Sequence, residues 1–160
     1  MTTQAAGTVV VFGVGNADRG DDGVGPAVAG RLLGRDLPGV RVVSPAEPVD
    51  LLDDGASAEL VVVVDAVRSG RPPGTLLVRD AHREPLPEWT GAGGTHALGL
   101  DAAVELLRAL GRMPRQLVLV GVEAATFQTG APMSPPVRDA VPAAVGLVVA
   151  VAGSMAGGEP

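Results

Sequence analysis

The residue types best suited to chemistry are two aspartates and a histidine that lie in three separate parts of the chain. Asp22, Asp65 and His96 are 43 and 31 residues apart, so only the tertiary fold could bring them together. Two carboxylates and one imidazole suit a first-row divalent ion with open coordination positions, such as nickel, zinc or manganese. Alternatively, two aspartates in close approach could share a proton and hydrolyse a peptide bond. The residues alone leave both chemistries open.

Each candidate also has a plain structural explanation. Asp22 or its neighbour Asp21 could cap a helix and complement its dipole, and we expect one of the pair to do so. Asp65 could accept hydrogen bonds from loop amides, although an acid at the tip of a buried strand is desolvated unless something pairs with it. His96 on its own would more often be structural than a ligand. His82 lies in a polar loop and is expected to be a solvated surface residue.

The elements that must position these residues follow from alternating apolar and amphipathic segments. Short β-branched apolar runs predict strands, and apolar residues at three-and-four spacing predict helices. The predicted strands are 8–14, 40–43, 60–67, 75–78 and 116–122. The predicted helices are 24–34, 48–58, 98–110 and 137–152, and residues 80–95 are expected to form a long loop.

Strands separated by helices predict an α/β fold, and no linker divides residues 1–160 into more than one domain. We expect a three-layer sandwich, in which a five-stranded, mostly parallel sheet has helices on both faces. The commonest strand order for this count is 2-1-3-4-5, with ligands at the carboxyl ends of strands 1 and 3. Asp22 follows the first strand and Asp65 lies near the end of the third, so both are expected at that edge.

The composition excludes several classes of function. The chain has 160 residues, a formal net charge of −6 and no cysteine, so cysteine-ligated metals and a cysteine nucleophile are excluded. The negative charge and the 2% aromatic content argue against nucleic-acid binding, which needs a basic surface and stacking side chains. Gly13-Val14-Gly15 is a weak dinucleotide motif, because Asp18 stands where its third glycine should be. No exposed apolar repeat is evident, so a monomer is expected.

One apolar segment bears on membrane association. The uncharged run at 140–153 spans 14 residues and contains Pro142 and Gly146. It is shorter than the ~20 residues that a membrane-spanning helix requires, so a buried core helix is favoured. The first residues carry no positive charge, and no targeting segment is recognised. We therefore expect a soluble, cytoplasmic protein without a membrane partner.

A series of short motifs runs through nearly the whole chain. The most specific part is Gly13-Val14-Gly15-Asn16 followed by Gly20-Asp21-Asp22-Gly23-Val24-Gly25-Pro26. The supporting motifs are Val63-Val64-Asp65-Ala66, Pro73-Gly74-Thr75, Thr95-His96 with Leu98, Leu119-Val120-Gly121-Val122-Glu123, and Gly130 with Ser134. In order and spacing, the chain resembles the nickel-iron hydrogenase maturation endopeptidases.

The resemblance implies a one-domain α/β fold and an endopeptidase activity. Members of that family remove a C-terminal extension from the hydrogenase large-subunit precursor after nickel has been inserted. They read the nickel through an acid after strand 1, an aspartate after strand 3 and a histidine before the next helix. On this chain those positions are Asp22, Asp65 and His96, and either aspartate is a candidate catalytic carboxylate. Glu123, after strand 5, is a further candidate to line the cleft. The substrate brings the nickel, so no tightly bound organic cofactor is implied.

One departure from the family pattern concerns the turn after strand 2. Many members carry an Asp-Gly-Gly-Thr-like turn there, whereas this chain reads Ser44-Pro45-Ala46-Glu47. Pro45 removes flexibility and a backbone donor that two glycines would offer. The departure bears on how the substrate tail is held and leaves the three site residues unchanged.

The sequence therefore predicts a nickel-dependent processing endopeptidase, with two alternatives from other classes. A nickel-binding maturation chaperone would use the same three residues without cutting its partner. A small zinc-dependent peptide hydrolase would hold its own metal tightly. The metal content of the purified protein and the mass of the treated precursor distinguish the three hypotheses.

Overall fold

The computed structural model describes residues 8–55, 57–84, 86 and 99–156. This part of the chain forms the strands β1 (Val9–Val14), β2 (Val40–Ala46), β3 (Leu60–Val67), β4 (Leu76–Asp80) and β5 (Gln116–Glu123), and the helices α1 (Val24–Leu33), α2 (Leu100–Ala109) and α3 (Pro135–Ala156). A 3-10 turn, Gly20–Gly23, leads directly into α1. The predicted helix at 48–58 is reduced to a π-helical turn, Leu51–Gly55.

The central strands are the elements that the sequence predicts best. β3 has the predicted bounds, and every residue in it is buried, since a strand covered on both faces reads as a continuous β-branched apolar run. β1 is likewise buried throughout. β2 continues past its predicted end at Val43 because Ala46 still pairs with Val14 of β1.

The strand order is β2-β1-β3-β5-β4, so the expected order 2-1-3-4-5 is wrong at one edge. β1, β2, β3 and β5 are parallel, whereas β4 pairs antiparallel with β5. The connection from β3 to β4 spans only residues 68–75, which is too short for the crossover of a dozen or more residues that a parallel neighbour requires. β4 therefore runs back along the outer edge, and β5 takes the place beside β3.

Helices cover both faces of the sheet, which confirms the predicted three-layer α/β fold. Alternate residues of a strand point to opposite faces. In β3, Val62 and Val64 join the core formed with α1 and α3, while Val61 and Val63 join the core formed with α2 and the π-helical turn. By the same alternation, Asp65 lies on the α2 face.

α3 extends beyond both ends of the helix predicted at 137–152. By length and by a mean hydropathy of 1.5, its segment Pro135–Ser154 could cross a membrane, although buried core helices of soluble proteins meet the same criterion. Val137, Val141 and Val145 are buried against the sheet beside α1. One side of α3 thus belongs to the protein core, as the predicted core helix requires.

Candidate active site

A glycine allows the start of α1 to sit directly against the ends of β1 and β3. A Cβ atom on Gly25 would overlap the carbonyl oxygen of Val14 and would lie 2.6 Å from that of Val64. Only glycine fits so close to two other backbones. This contact holds the 3-10 turn and α1 at the carboxyl ends of the two strands, where open α/β sheets bind their ligands.

Asp22 lies in the 3-10 turn and is almost completely buried, with 6% of its surface exposed. Its Oδ2 atom accepts a 2.8 Å hydrogen bond from the backbone N–H of Asn16. Gly15, with a φ of 134°, packs so closely that a Cβ atom would overlap the carbonyl oxygen of Asp22. The loop after β1 therefore surrounds Asp22 and holds its carboxylate, whose Oδ1 atom accepts no hydrogen bond from the described residues.

Asp65 lies on the neighbouring strand, at the level where β1 ends. The register pairs Gly13 of β1 with Val64 of β3, and Asp65 is 3% exposed. Its Oδ1 atom accepts a 2.8 Å hydrogen bond from the N–H of Ala66. Burial raises the pKa of the Asp65 carboxyl well above its usual range, and the charge of Asp22 raises it further, whereas the bond from Ala66 acts in the opposite direction.

The fold thus brings Asp22 and Asp65 together at one edge of the sheet as a buried acidic pair. Their mutual repulsion is one cause of the raised pKa of Asp65. Two neighbouring carboxylates with little access to water favour the binding of a proton or a cation. This arrangement is typical of sites that transfer protons or bind metals. The pair can supply a general base, a shared proton or oxygen ligands to an ion.

His96, the third member of the predicted set, lies outside the described residues, as does most of the predicted loop at 80–95. α2 begins at Leu100, and Arg108 near its other end donates a 2.7 Å hydrogen bond from Nη2 to the carbonyl oxygen of Ala81. Within the described ranges, no group of three His, Cys, Asp or Glu side chains could hold a metal ion. The assignment of His96 therefore stays a prediction from sequence.

The other histidine, His82, is exposed as predicted. Its Nε2 atom lies 2.7 Å from the carbonyl oxygen of Pro114. This contact joins the segment after β4 to the segment before β5, at the opposite end of the strands from Asp65. His82 is therefore part of the surface and not of the acidic site.

Asp21 has a different role from its neighbour Asp22. It is fully buried, and its Oδ2 atom accepts hydrogen bonds from the N–H of Ala125 (2.7 Å), the N–H of Thr126 (3.1 Å) and the Oγ of Ser134 (2.9 Å). Its Oδ1 atom accepts one from the N–H of Ser134 (2.7 Å). No side chain caps the start of α1, so the expectation that one of the two aspartates does so is wrong. Instead, Asp21 ties the 3-10 turn to the loop between β5 and α3.

Glu123 is another buried carboxylate whose hydrogen bonds lie within the protein. It is 2% exposed, and its Oε1 atom accepts hydrogen bonds from the N–H groups of Ser69 (2.9 Å) and Gly70 (3.0 Å). Its Oε2 atom accepts one from Ser69 Oγ at 2.7 Å. Glu123 was a candidate to line the cleft, but both of its oxygens bind the β3–β4 loop. In sequence it resembles Asp65, since both are acids near the end of a buried strand, and only their partners distinguish them.

An open cleft of about 630 Å³ lies beside Asp22. It is lined by residues 15–17 of the loop after β1, by Pro26 of α1, by residues 45 and 46 at the end of β2, and by Glu47 and Asp50 beyond that strand. The residues that depart from the family pattern therefore form part of its wall. No sequence motif marks this cleft, although the expected order, with strand 2 beside strand 1, is the pairing that brings its two walls together.

Comparisons with known proteins agree with this fold and with the motifs. A family model described as hydrogenase maturation protease matches residues 44–151. The hydrogenase 2 maturation protease of Escherichia coli K12 is 30% identical over 89% of this chain and 88% of its own length. The hydrogenase expression/formation protein HupD of Bradyrhizobium diazoefficiens is 29% identical over 94% of this chain and 80% of its own length.

Solved structures extend the likeness to three dimensions. An endopeptidase from Escherichia coli superposes with a TM-score of 0.82 and 28% identity, covering 94% of both chains. A [NiFe] hydrogenase maturation protease, HycI, from Thermococcus kodakarensis superposes with a TM-score of 0.71 and 25% identity, covering 91% of this chain and 92% of its own. The chain therefore belongs to the hydrogenase maturation protease family and is a hydrolase of that class.

Proposed function

We propose that this protein is an endopeptidase that removes a C-terminal extension from the large-subunit precursor of a nickel-iron hydrogenase after nickel insertion. The observation that carries the proposal is the buried pair Asp22 and Asp65, at the carboxyl edge of the sheet in a member of this protease family. The loop that holds Asp22 forms part of the wall of an open cleft, and Asp65 lies at the strand ends where open α/β sheets bind their ligands.

Nickel enters this proposal as part of the substrate. The precursor presents the ion to Asp22, Asp65 and His96, which complete its coordination with two carboxylates and an imidazole. A divalent cation relieves the repulsion between the two carboxylates and so opposes the effects that raise the pKa of Asp65. The protease then needs no resident metal and no organic cofactor.

The reaction itself is the addition of water to one peptide bond. The oxygen of a water molecule bonds to the scissile carbonyl carbon, the carbon–nitrogen bond breaks, and a proton passes to the leaving amine. Asp65 or Asp22, once ionised, accepts the proton of the attacking water as a general base. The substrate's ion aligns the scissile bond and can polarise its carbonyl group or acidify the water.

This mechanism makes cleavage conditional on metal insertion. Without the ion, Asp65 lies in an environment that favours its protonated form, which is a poor base. A precursor without nickel also lacks the ion that Asp22 and Asp65 bind, so its scissile bond is not aligned with the two carboxylates. Processing therefore reports that the precursor has received its nickel.

We also propose that the protein acts as a cytoplasmic monomer. The large apolar side chains exposed on the described surface are Leu33, Val49, Val78, Leu106 and Leu110. Leu106 and Leu110 lie one turn apart at the end of α2, and the other three lie in separate segments. Small groups of exposed apolar side chains are normal on monomers. Light scattering of the purified protein should return the mass of one chain, and fractionation of expressing cells should find it in the cytoplasm.

The test is intact-mass measurement of a hydrogenase large-subunit precursor, nickel-loaded and nickel-free, after incubation with this protein. Loss of a C-terminal peptide from the nickel-loaded form alone is the expected result. Cleavage of both forms would retain the protease and remove the nickel requirement. Cleavage of neither form would favour a maturation chaperone that binds nickel without cutting. Stoichiometric zinc in the purified protein would favour a zinc-dependent peptide hydrolase.

A further inference from the structure

Three arginines lie on loops at the carboxyl edge of the sheet, around the segment between β5 and α3. Arg68 and Arg71 lie in the β3–β4 loop and are exposed, and Arg19 lies in the loop after β1 and is half-buried. None of the three forms an ion pair with another residue that the structure describes. The exposed acid on these loops is Asp18. This part of the edge therefore carries an excess of positive charge, in a chain whose net charge is −6.

An aromatic ring of the β5–α3 segment holds Arg68 in place. The guanidinium carbon of Arg68 lies over the ring of Phe127, 4.9 Å from its centre, which is the geometry of a cation–π contact. Phe127 packs in turn against the core formed with α1 and α3. The N–H groups of a guanidinium lie in its own plane, so a contact through the face leaves them open to a ligand. Arg68 is therefore a positioned cation.

The loop that carries Arg68 and Arg71 is anchored by Glu123, the buried carboxylate that the proposed mechanism does not use. Glu123 accepts hydrogen bonds from the N–H groups of Ser69 and Gly70, and from the hydroxyl of Ser69. Ser69 Oγ in turn accepts a hydrogen bond from Nη1 of Arg71 at 3.5 Å. A loop that is ordered in advance loses less entropy when it binds a partner. Glu123 thus orders the loop that presents two cations.

The guanidinium of Arg19 has buried donors without acceptors. Its Nε and Nη1 atoms are shielded from water and form no hydrogen bond with the residues that the structure describes. An arginine side chain stays charged, and a buried charge is unfavourable unless it is paired. Pairing with an anionic group recovers part of that free energy. The next residue, Gly20, donates from its N–H to the carbonyl oxygen of Ala131 at 3.1 Å, so Arg19 adjoins the same β5–α3 segment as Arg68.

We propose that Arg19, Arg68 and Arg71 form a docking surface for an acidic segment of the hydrogenase precursor, and that they bind the side-chain carboxylates of that segment. The inference rests on the endopeptidase function proposed above, because it takes the substrate of that reaction as the partner. A guanidinium donates two parallel N–H groups to one carboxylate, so arginines suit this partner in geometry as well as in charge. None of the three arginines belongs to the acidic pair that performs the chemistry.

The two kinds of charge at this edge give the substrate an orientation. Asp65 lies near the end of β3, and Arg68 follows it by three residues. The acidic pair is buried and favours a cation, whereas Arg68 and Arg71 are at the surface and favour carboxylates. A precursor that presents its ion beside an acidic segment meets complementary charge at both places. Complementarity of this kind sets orientation and the rate of association more than the rate of the chemical step.

The first test is a binding titration that does not depend on cleavage. Isotope-labelled full-length protein is titrated with end-blocked alanine pentapeptides that carry two glutamates, two glutamines or two lysines, with NMR detection of the Ser69, Gly70 and Phe127 amides. At low salt the glutamate peptide should bind about fivefold or more tighter than the glutamine peptide, and the lysine peptide should bind weakest. The preference should fall as the salt concentration rises, because exposed charges are screened.

Substitutions assign the preference to this surface. Arg68→Gln, Arg71→Gln and Arg19→Gln should each weaken binding of the glutamate peptide about two- to fivefold and leave the glutamine peptide unchanged. The matched control is Arg115→Gln, which removes an exposed arginine just before β5, at the opposite end of the strands. This variant should keep the wild-type preference. Equal binding of the glutamate and glutamine peptides, no binding of either, or an unchanged preference in both Arg68→Gln and Arg71→Gln would overturn the inference.

A second measurement identifies the partner. With nickel-loaded precursor, the double variant Arg68→Gln, Arg71→Gln should raise KM about fivefold or more with little change in kcat, because it weakens docking and leaves the chemistry in place. An unchanged KM would overturn the assignment of this surface to the precursor. A wild-type protein that prefers the glutamate peptide but leaves nickel-loaded precursor uncut would refute the endopeptidase function and not the anion-binding surface. Cleavage without any peptide preference would do the reverse.

Discussion

Replacing Asp21 by alanine is the substitution whose effect follows most directly from the structure. The carboxylate of Asp21 accepts four hydrogen bonds, from the N–H groups of Ala125, Thr126 and Ser134 and from the Oγ of Ser134. All of them come from the segment between β5 and α3, more than one hundred residues away in sequence. Asp21→Ala therefore detaches this segment from the turn that carries Asp22.

The expected loss of stability follows from the four hydrogen-bond donors that would remain without an acceptor. A buried donor left without its partner costs ~1–3 kcal/mol. Water can enter the space left by the carboxylate, so the four costs add only in part. We expect Asp21→Ala to lower the free energy of unfolding by about 3–5 kcal/mol, a large share of the ~5–15 kcal/mol that stabilises a typical domain.

Urea unfolding, followed by circular dichroism, measures this loss. The control is Asp18→Ala in the same loop, an exposed aspartate whose backbone carbonyl accepts a hydrogen bond that the substitution retains, and it should change stability by ~0.5 kcal/mol or less. Ser134→Ala removes only one of the four donors and should cost about 1 kcal/mol, which keeps the test informative if Asp21→Ala does not fold. A loss below about 1 kcal/mol for Asp21→Ala would refute the reasoning.

Three further predictions concern the acidic pair and the glycine beneath it. Asp65→Asn should stabilise the protein at neutral pH, because the raised pKa means that ionising Asp65 above its unfolded pKa of ~3.9 opposes folding. The folded protein binds the Asp65 proton more tightly than the unfolded chain does. The contribution of this group to the free energy of unfolding is therefore complete at low pH, and it is lost as the pH rises through the pKa of Asp65 in the folded protein. The gain in urea midpoint should accordingly vanish below about pH 4, and a pH-independent gain would contradict the raised pKa. Asp22→Ala and His96→Ala should each abolish processing of nickel-loaded precursor, measured by mass, while lowering the free energy of unfolding by no more than about 1 kcal/mol; normal processing would remove that residue from the site. Gly25→Ala should destabilise the fold by about 3 kcal/mol or more, since its Cβ would overlap a backbone carbonyl. Gly30→Ala in the same helix meets no atom within 4 Å and should stabilise by about 0.5–1 kcal/mol, so equal effects of the two would argue against the close packing at Gly25.

The sequence by itself determined the elements and the edge of the sheet at which chemistry is expected. Strand and helix patterns are local, so β3 could be predicted with its observed bounds from eight consecutive residues. Asp22 and Asp65 could be placed together because parallel strands have their carboxyl ends at one edge. The motif around Asp22 also carries enough residues in fixed spacing to identify the family without coordinates.

Only the tertiary structure decided how the neighbouring acids differ. Asp21 and Asp22 are the same residue type in the same turn, and they differ because one faces donors of the β5–α3 segment while the other faces Asn16 and Asp65. Glu123 and Asp65 are both acids near the end of a buried strand. They are distinguished by the hydrogen-bond donors of Glu123, which lie 53 and 54 residues away in sequence.

The order of the last two strands, by contrast, could have been derived from the sequence. The predicted strands at 60–67 and 75–78 leave only residues 68–74 between them, and so short a connection cannot cross over the sheet. The cleft beside Asp22 exists because β1 and β2 pair, which brings an acidic segment against a loop thirty residues earlier. Contacts between distant segments set the protonation, the hydrogen bonds and the access of each carboxylate, and a local pattern does not record them.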